Sequence, residues 1–306
     1  YHTAILHRAK QGIEFVNSLD YEIDHVHGHF ISKDKITAQC IADYFNVGCT
    51  ATGHAFEFFA DPNKRWMKMI LDKLDHVVTV TDYNKRFIQR EFDYEKDISV
   101  IPVSIRTDKF EPQHDEKENR LVSIARLVEK KGLRYGIRAI KELKKCFPEI
   151  EYHIIGSGPL HQELQKEIES NNLEENVKLL GNVSDERLIK EVKESQLSLL
   201  PCIIASDGDR DSGPMVIKES MAMETPVIST DISGIPEIID DGEDGILVSS
   251  KNVDELSDAI KELLESEEKR KQMGKRARKK VEEKFSLEKQ VDSLERVFEK
   301  VSKDGK

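Results

Sequence analysis

Two carboxylates, Asp211 and Glu219, stand eight positions apart around Ser212-Gly213-Pro214-Met215. An apolar run, Leu197 to Leu200, precedes them and reads as a buried strand. A polar loop carrying Asp207, Asp209 and Asp211 follows. Pro214 then stands near the start of a helix, where its fixed φ fits and its missing N–H is not needed. Strand, loop and helix N-terminus in that order build the crevice in which open parallel sheets bind ligands. The free N–H groups of the first helical turn favour an anion. Acids beside an anion site make sense if they accept hydrogen bonds from hydroxyls while the helix end holds phosphate. A ligand with both groups is a nucleotide-sugar. The competing reading makes the acids ordinary capping and dipole partners of a helix.

A second group lies in Ser123-Ile124-Ala125-Arg126-Leu127-Val128-Glu129-Lys130-Lys131-Gly132. A strand end delivers Arg126, and Lys131 stands immediately before Gly132 and a helix. A rigid guanidinium with an ammonium suits a diphosphate, whose charge grows as it leaves. Lys131 is preferred over Lys130 because it precedes the glycine. The alternative is a solvated basic loop. Gly156-Ser157-Gly158-Pro159 follows a strand and opens a helix without completing a dinucleotide fingerprint. Gly181-Asn182-Val183 ends another strand, and both stretches read equally as tight turns. His25, His27 and His29 alternate, so they share one strand face, where with Asp24 they offer nitrogen ligands to zinc. Against a metal stands the lack of a nearby carboxylate pair, or of any further histidine at ligand spacing except His54.

The elements that must position these residues alternate along the whole chain. Strands are expected at Tyr21–Phe30, Val47–Thr52, His76–Thr81 and Ile98–Ile101, with helices at Ser32–Phe45, Asp61–Leu74 and Asp82–Phe92. A second alternation runs through strands Arg120–Ala125, Glu151–Ile155, Val177–Leu180, Leu197–Leu200, Val227–Ser229 and Ile246–Val248. Its helices are Gly132–Cys146, Pro159–Asn171, Asp185–Glu194, one from Pro214, Gly234–Ile239, Val253–Leu264 and Glu267–Lys284. A last helix spans Ser286–Val301. Such βαβ units give parallel sheets with right-handed crossovers. The expected organisation is residues 1–104 as a first Rossmann-like domain, 105–119 as a linker, 120–285 as a second domain, and 286–306 as a helix packing back on the first. The fold class is α/β, two doubly wound domains facing a cleft.

Bulk properties narrow the partners. The chain has 306 residues, 38% hydrophobic and 34% charged, with formal net charge −11. That charge argues against broad nucleic-acid binding. No apolar run approaches the ~20 residues of a membrane span. The four cysteines show no paired spacing, which fits reduced thiols and a cytoplasmic setting. Lys64-Arg65-Trp66 opens a helix that either rests on an anionic membrane surface or turns its Trp to the core. The chain opens at Tyr1 inside a helical pattern, so an incomplete first domain is expected, with ~30 residues for each missing βαβ unit.

The segment from Asp211 through Glu219 to Pro226-Val227-Ile228 resembles the E-x7-E region of retaining glycosyltransferases of the GT-B fold, glycosyltransferase family 4. Asp211 replaces the first Glu of that pattern, and Ser220 stands where Ala is usual. Arg126…Lys131-Gly132 resembles the family's G-R-L…K-G motif, with Ala125 for Gly. The Asp207-Gly208-Asp209-Arg210 lead-in is most similar to members that build extracellular polysaccharide. The resemblance implies that Glu219 accepts from donor ribose hydroxyls and Asp211 from a donor sugar hydroxyl. It implies that Arg126 and Lys131 hold the diphosphate with the helix end at Ser212, Gly213, Pro214 and Met215. Gly156 and Gly158 would line the donor site, and the base would lie against Val183. His54, in Thr50-Ala51-Thr52-Gly53-His54-Ala55, resembles the turn whose His reaches the donor sugar across the cleft. The activity implied is metal-independent, retaining hexosyl transfer from a UDP- or GDP-sugar to a glycan or lipid-linked hydroxyl, with no further cofactor. Such an enzyme would be cytoplasmic, with peripheral contact at the inner membrane face. An inactive nucleotide-sugar-binding remnant is the rival reading, and a metal-dependent hydrolase on His25, His27 and His29 a more distant one.

Overall fold

Short apolar runs with little charge fit strands of a parallel sheet covered on both faces. A computed structural model places them so; it describes residues 2–31, 36–60, 62–112 and 115–304. The chain divides into two units, Tyr1–Val103 with Glu288–Lys306, and Ser104–Leu287.

In the first unit α1 (His2–Asn17), β1 (His25–His29), α2 (Ile36–Phe45), β2 (Gly48–Gly53), α3 (Phe56–Phe59), α4 (Lys64–Lys73), β3 (His76–Thr79), α5 (Asp82–Glu91) and β4 (Ile98–Val100) follow in turn. The four strands pair in parallel in the order β1-β2-β3-β4. Cys49, Ala51 and Val77 of the sheet pack with Phe58, Leu71, Ile88 and Phe92. Asn63 and Thr81 cap α4 and α5, accepting from the N–H groups of Trp66 and Asn84.

The second unit runs β5 (Arg120–Ile124), α6 (Leu133–Leu143), β6 (Glu151–Ile155), α7 (His161–Ser170), β7 (Val177–Gly181), α8 (Asp185–Lys193), β8 (Leu197–Leu200), α9 (Met215–Ala222), β9 (Val227–Thr230), β10 (Ile246–Val248), α10 (Val253–Glu265) and α11 (Glu267–Lys284). Its six strands are parallel in the order β10-β9-β8-β5-β6-β7. The chain lays β5, β6 and β7 outward in one direction, then returns to place β8 on the other side of β5. The order therefore reverses between β5 and β8, which is where doubly wound sheets bind ligands beyond the carboxyl ends of their strands. The last helix, α12 (Leu287–Asp304), belongs largely to the first unit, where Val297 packs with Val78 and Ile101.

Several boundaries differ from the sequence expectation. Tyr21–Phe30 forms a strand only over His25–His29, the five positions with partners in β2. Ser32 and Asp61, expected at helix starts, lie outside the described residues. Gly234–Ile239 is not an α-helix but one 3-10 turn, Ile235–Glu237, with Pro236 at its start. Six residues offer few i→i−4 bonds against the cost of helix nucleation, and Pro236 supplies no N–H to them. Pro214 is the N-cap of α9, one position before the helix proper. Residues 105–112 are anchored to the second unit. Ile105 and Phe110 are buried in its core, and Arg278 donates from Nη1 to the carbonyls of Phe110 at 2.5 Å and Ala222 at 2.6 Å.

Candidate active site

Three loops meet at the carboxyl ends of β5, β6 and β8, and their backbones touch. The N–H groups of Ala125 and Leu127 donate to the carbonyls of Ile155 and Ser157, each at 2.9 Å. Gly156 has φ +133°, and a Cβ there would fall 2.0 Å from the Ala125 carbonyl oxygen. Gly132 has φ +62°, and its Cβ would fall 1.8 Å from the Pro201 oxygen. Only glycine satisfies both the dihedral and the contact at each position. The loop bearing Arg126 and Lys131 is thereby clamped between the loops after β6 and β8.

A 3-10 turn, Glu129–Lys131, turns both lysines toward the acidic loop after β8. Lys130 Nζ lies 3.0 Å from Asp209 Oδ1 and 3.2 Å from Asp211 Oδ1. Lys131 Nζ pairs with Asp211 Oδ2, and the Cys202 thiol stands 3.7 Å from the same oxygen. Burial alone would raise the Asp211 carboxyl, but Lys131 and Lys130 outweigh it and hold it below the ordinary value. Burial likewise opposes the Lys131 ammonium, yet Asp211 holds it above its ordinary value. Arg126 is exposed and close enough to Lys131 to be felt by its charge. Lys130 pairs with the same acidic loop as Lys131. It is more buried than Lys131 and alone bridges both aspartates. Sequence spacing cannot show a bond between residues 79 positions apart.

In α9 no side chain caps the N-terminus, so its first N–H groups remain available. The Ser212 hydroxyl is buried there with no protein hydrogen-bond partner among the described residues. Gly213 is half-buried, and Met215 is exposed at the first turn. Glu219, in the second turn, is half-buried and its carboxyl is raised by burial. Its charged neighbours are Lys109 and Asp185, which pair with each other at 2.6 Å. Asp211 and Glu219 thus flank the α9 N-terminus in different electrostatic surroundings. Ser220, in place of the usual Ala, is explained by packing: its buried hydroxyl donates to Ser198 Oγ at 2.9 Å. Gly158 lies against Leu127, whose carbonyl also accepts from Leu160 N–H at 3.0 Å. Val183 packs on the edge of the core beyond Gly181. A cavity of about 530 Å³ at the opposite end of this sheet is lined by Glu116, Asn119, Gln196, Glu267, Arg270 and Lys271 among others, a mixture of both charges away from the strand ends that carry the glycine loops.

In the first unit His54 follows β2. Its N–H donates to Glu57 Oε1 at 3.2 Å, and its carbonyl accepts from Asn84 Nδ2 at 3.1 Å. Its Nε2 lies 3.0 Å from His29 Nε2, and the Phe30 ring centroid is 4.6 Å away. Phe30 has φ 68°, a left-handed conformation that costs a bulky residue about 1–2 kcal/mol. His54 is pushed down to about 4 by burial and by His29, so it is neutral at pH 7. His25 and His27 do not converge on a common point with His29. Both bond Thr50 Oγ1, at 2.8 and 2.7 Å, and His27 Nε2 lies 3.0 Å from Thr52 Oγ1. Among the described residues no group of three or more His, Cys, Asp or Glu side chains is placed to hold a metal ion. Trp66 packs on the core, while Lys64 and Lys68 pair with Glu91 at 2.8 Å and Asp93 at 3.7 Å. No described helix is long and apolar enough to cross a membrane.

Comparison with known proteins accords with this geometry. A glycosyltransferase from Rickettsia africae superposes with TM-score 0.82 at 20% identity, covering 97% of this chain and 81% of that one. Anabaena HepE, solved with UDP and glucose, superposes with TM-score 0.81 at 17% identity, covering 97% and 80%. These likenesses fix the fold as α/β with two Rossmann-like units, the GT-B architecture. In sequence, the amylovoran biosynthesis glycosyltransferase AmsK of Erwinia amylovora is 34% identical over 211 residues, 67% of this chain and 51% of AmsK. The alpha-D-kanosaminyltransferase of Streptomyces kanamyceticus is 26% identical over 260 residues, 80% of this chain and 66% of that enzyme. The chain thus spans about half the length of AmsK. Residues 104–280, more than half of the chain, match the family model of the group 1 glycosyl transferases, and the chain belongs to that family.

Proposed function

We propose that this protein is a retaining hexosyltransferase that moves a sugar from a UDP- or GDP-sugar to a hydroxyl of a glycan or lipid-linked acceptor in polysaccharide or glycoconjugate synthesis. The observation that carries the reading is the ion cluster at the switch point, where Lys130 and Lys131 share Asp211 beside Arg126. A diphosphate arriving there takes Lys131 and Arg126 as its counter-charges. Asp211 keeps Lys130 on Oδ1, and its Oδ2 is then free to accept from a sugar hydroxyl. The cations stabilise the leaving diphosphate as its charge grows, the role a metal ion plays elsewhere. The open first turn of α9 and the unpartnered Ser212 hydroxyl add donors to the same anion.

Glu219 is assigned to the ribose hydroxyls. Its raised carboxyl is a good hydrogen-bond partner, held away from the lysines that serve phosphate. His54 is assigned, on the family resemblance, to a hydrogen bond with the transferred sugar. Retention follows front-face attack, with the leaving phosphate taking the acceptor's proton. The names of relatives support the pathway class, since AmsK acts in amylovoran biosynthesis. A cytoplasmic enzyme meeting its acceptor at the membrane face fits this reading, and no cofactor beyond the donor is needed.

The test is release of free nucleotide from a panel of UDP- and GDP-sugars, with and without glycan acceptors. Release is expected from one donor, reduced by roughly 100-fold or more in Glu219→Ala. A protein that binds nucleotide but releases none from any donor is a binding module, and the enzymatic reading fails.

A further inference from the structure

His54 is held through its backbone N–H, its carbonyl and one ring nitrogen. One Glu57 oxygen, Oε1, accepts from the N–H groups of both His54 and Ile31, each at 3.2 Å, tying the turn after β2 to the turn after β1. Fully buried Asn84 fixes the His54 carbonyl, and is itself anchored to Thr79 Oγ1 at 3.2 Å. Phe30 keeps a left-handed backbone while half of its surface remains exposed, and its N–H donates to the Thr52 carbonyl at 2.8 Å. Strain of that kind persists only where the surroundings impose it. Its result is a cluster of three rings, with Phe30 against His54 at 4.6 Å between centroids and His29 beside both, 4.8 Å from His54 and 4.9 Å from Phe30.

The contact between the two imidazoles, Nε2 to Nε2 at 3.0 Å, has a chemical consequence. A hydrogen bond between two ring nitrogens needs one Nε2–H and one bare Nε2. The ring with the bare Nε2 must carry its proton on Nδ1. We propose that His29 is a positioning residue for His54, donating from Nε2 and so fixing His54 as the Nδ1–H tautomer. His29 is the exposed member of the pair, whereas His54 is half-buried and burial keeps it neutral. His54 then has a single ring donor, Nδ1–H, for a substrate oxygen, and its Nε2 is already used. The inference rests on the assignment of His54 to substrate hydrogen bonding.

The experiment is long-range proton–nitrogen NMR on protein labelled with nitrogen-15 in its histidines, joined to steady-state kinetics. His54 is expected as the Nδ1–H tautomer in the wild type and as a tautomer mixture in His29→Ala. His29→Gln, whose side-chain amide can also donate, is expected to restore the Nδ1–H form. In turnover, His29→Ala should lower kcat by about tenfold, the scale of one hydrogen bond, with donor KM unchanged within about twofold. The same change should have no further effect in a His54→Ala background. An Nε2–H tautomer at His54 in the wild type, or the same tautomer in His29→Ala, overturns the proposal. Full turnover in His54→Ala would instead remove the functional assignment of His54, while the tautomer spectra still decide the role of His29.

Discussion

Asp211 is the residue on which the second unit's chemistry turns, because one carboxylate serves two ammonium groups away from bulk water. Removing one partner of such a cluster leaves charge uncompensated, so Lys130→Met is expected to lower unfolding free energy by about 3 kcal/mol in urea titrations. The pH dependence follows from the direction of the shift. Asp211 is held below its ordinary value, so its contribution is complete above the ordinary carboxylate range and is lost as pH falls through the lowered folded value. Wild type should therefore exceed Asp211→Asn in stability at pH 7, with the gap closing in acid. A gap that stays constant would contradict the pairing. At this scale the sequence was only half legible. Asp211, Glu219 and Arg126 show in local motifs, whereas the partnership of Lys130 with Asp209 depends on two loops that meet only in the folded sheet.

At the level of elements, the glycines after the strands decide how closely the loops approach. Gly132→Ala adds a Cβ 1.8 Å from the Pro201 oxygen at φ +62°. A loss of about 2–4 kcal/mol is expected from urea denaturation. Gly181 offers the control: its φ is +67° with nothing within 4 Å of an added Cβ. Gly181→Ala should cost only the backbone term, about 1 kcal/mol. Equal losses at the two sites would mean that the loop clamp contributes nothing. The strands were legible because short apolar runs such as Leu197–Leu200 are bounded by turn residues. Pro236 and the 3-10 turn around it were not, since a pattern of six residues fits a helix and a turn alike. The stretch from 105 to 112 read as polar linker because Ile105 and Phe110 are isolated apolar residues, and only Arg278 and the core of the second unit give them a destination.

For the whole molecule, each unit carries its own pH signature. In the first unit His27 and His54 are both pushed down to about 4, chiefly by burial. The unfolded chain takes up protons near pH 6.5 while the folded unit does not. Stability held above that value is therefore lost as pH falls from about 6.5 toward 4. Hydrogen-exchange protection in β1 and β2, corrected for intrinsic rates, should fall over this window; a flat profile would contradict the burial of these rings. The alternation of strands and helices made the two-sheet fold legible from sequence, and β5 to β8 gave the switch point its place. The proposed activity depends most on that switch point gripping a diphosphate. Titration of the protein with UDP and GDP, wild type beside Arg126→Ala and Lys131→Met, measures this directly. One nucleotide should bind per chain, about tenfold or more weaker in each folded variant and weaker for all three in high salt. Unchanged affinity in both variants would contradict the account.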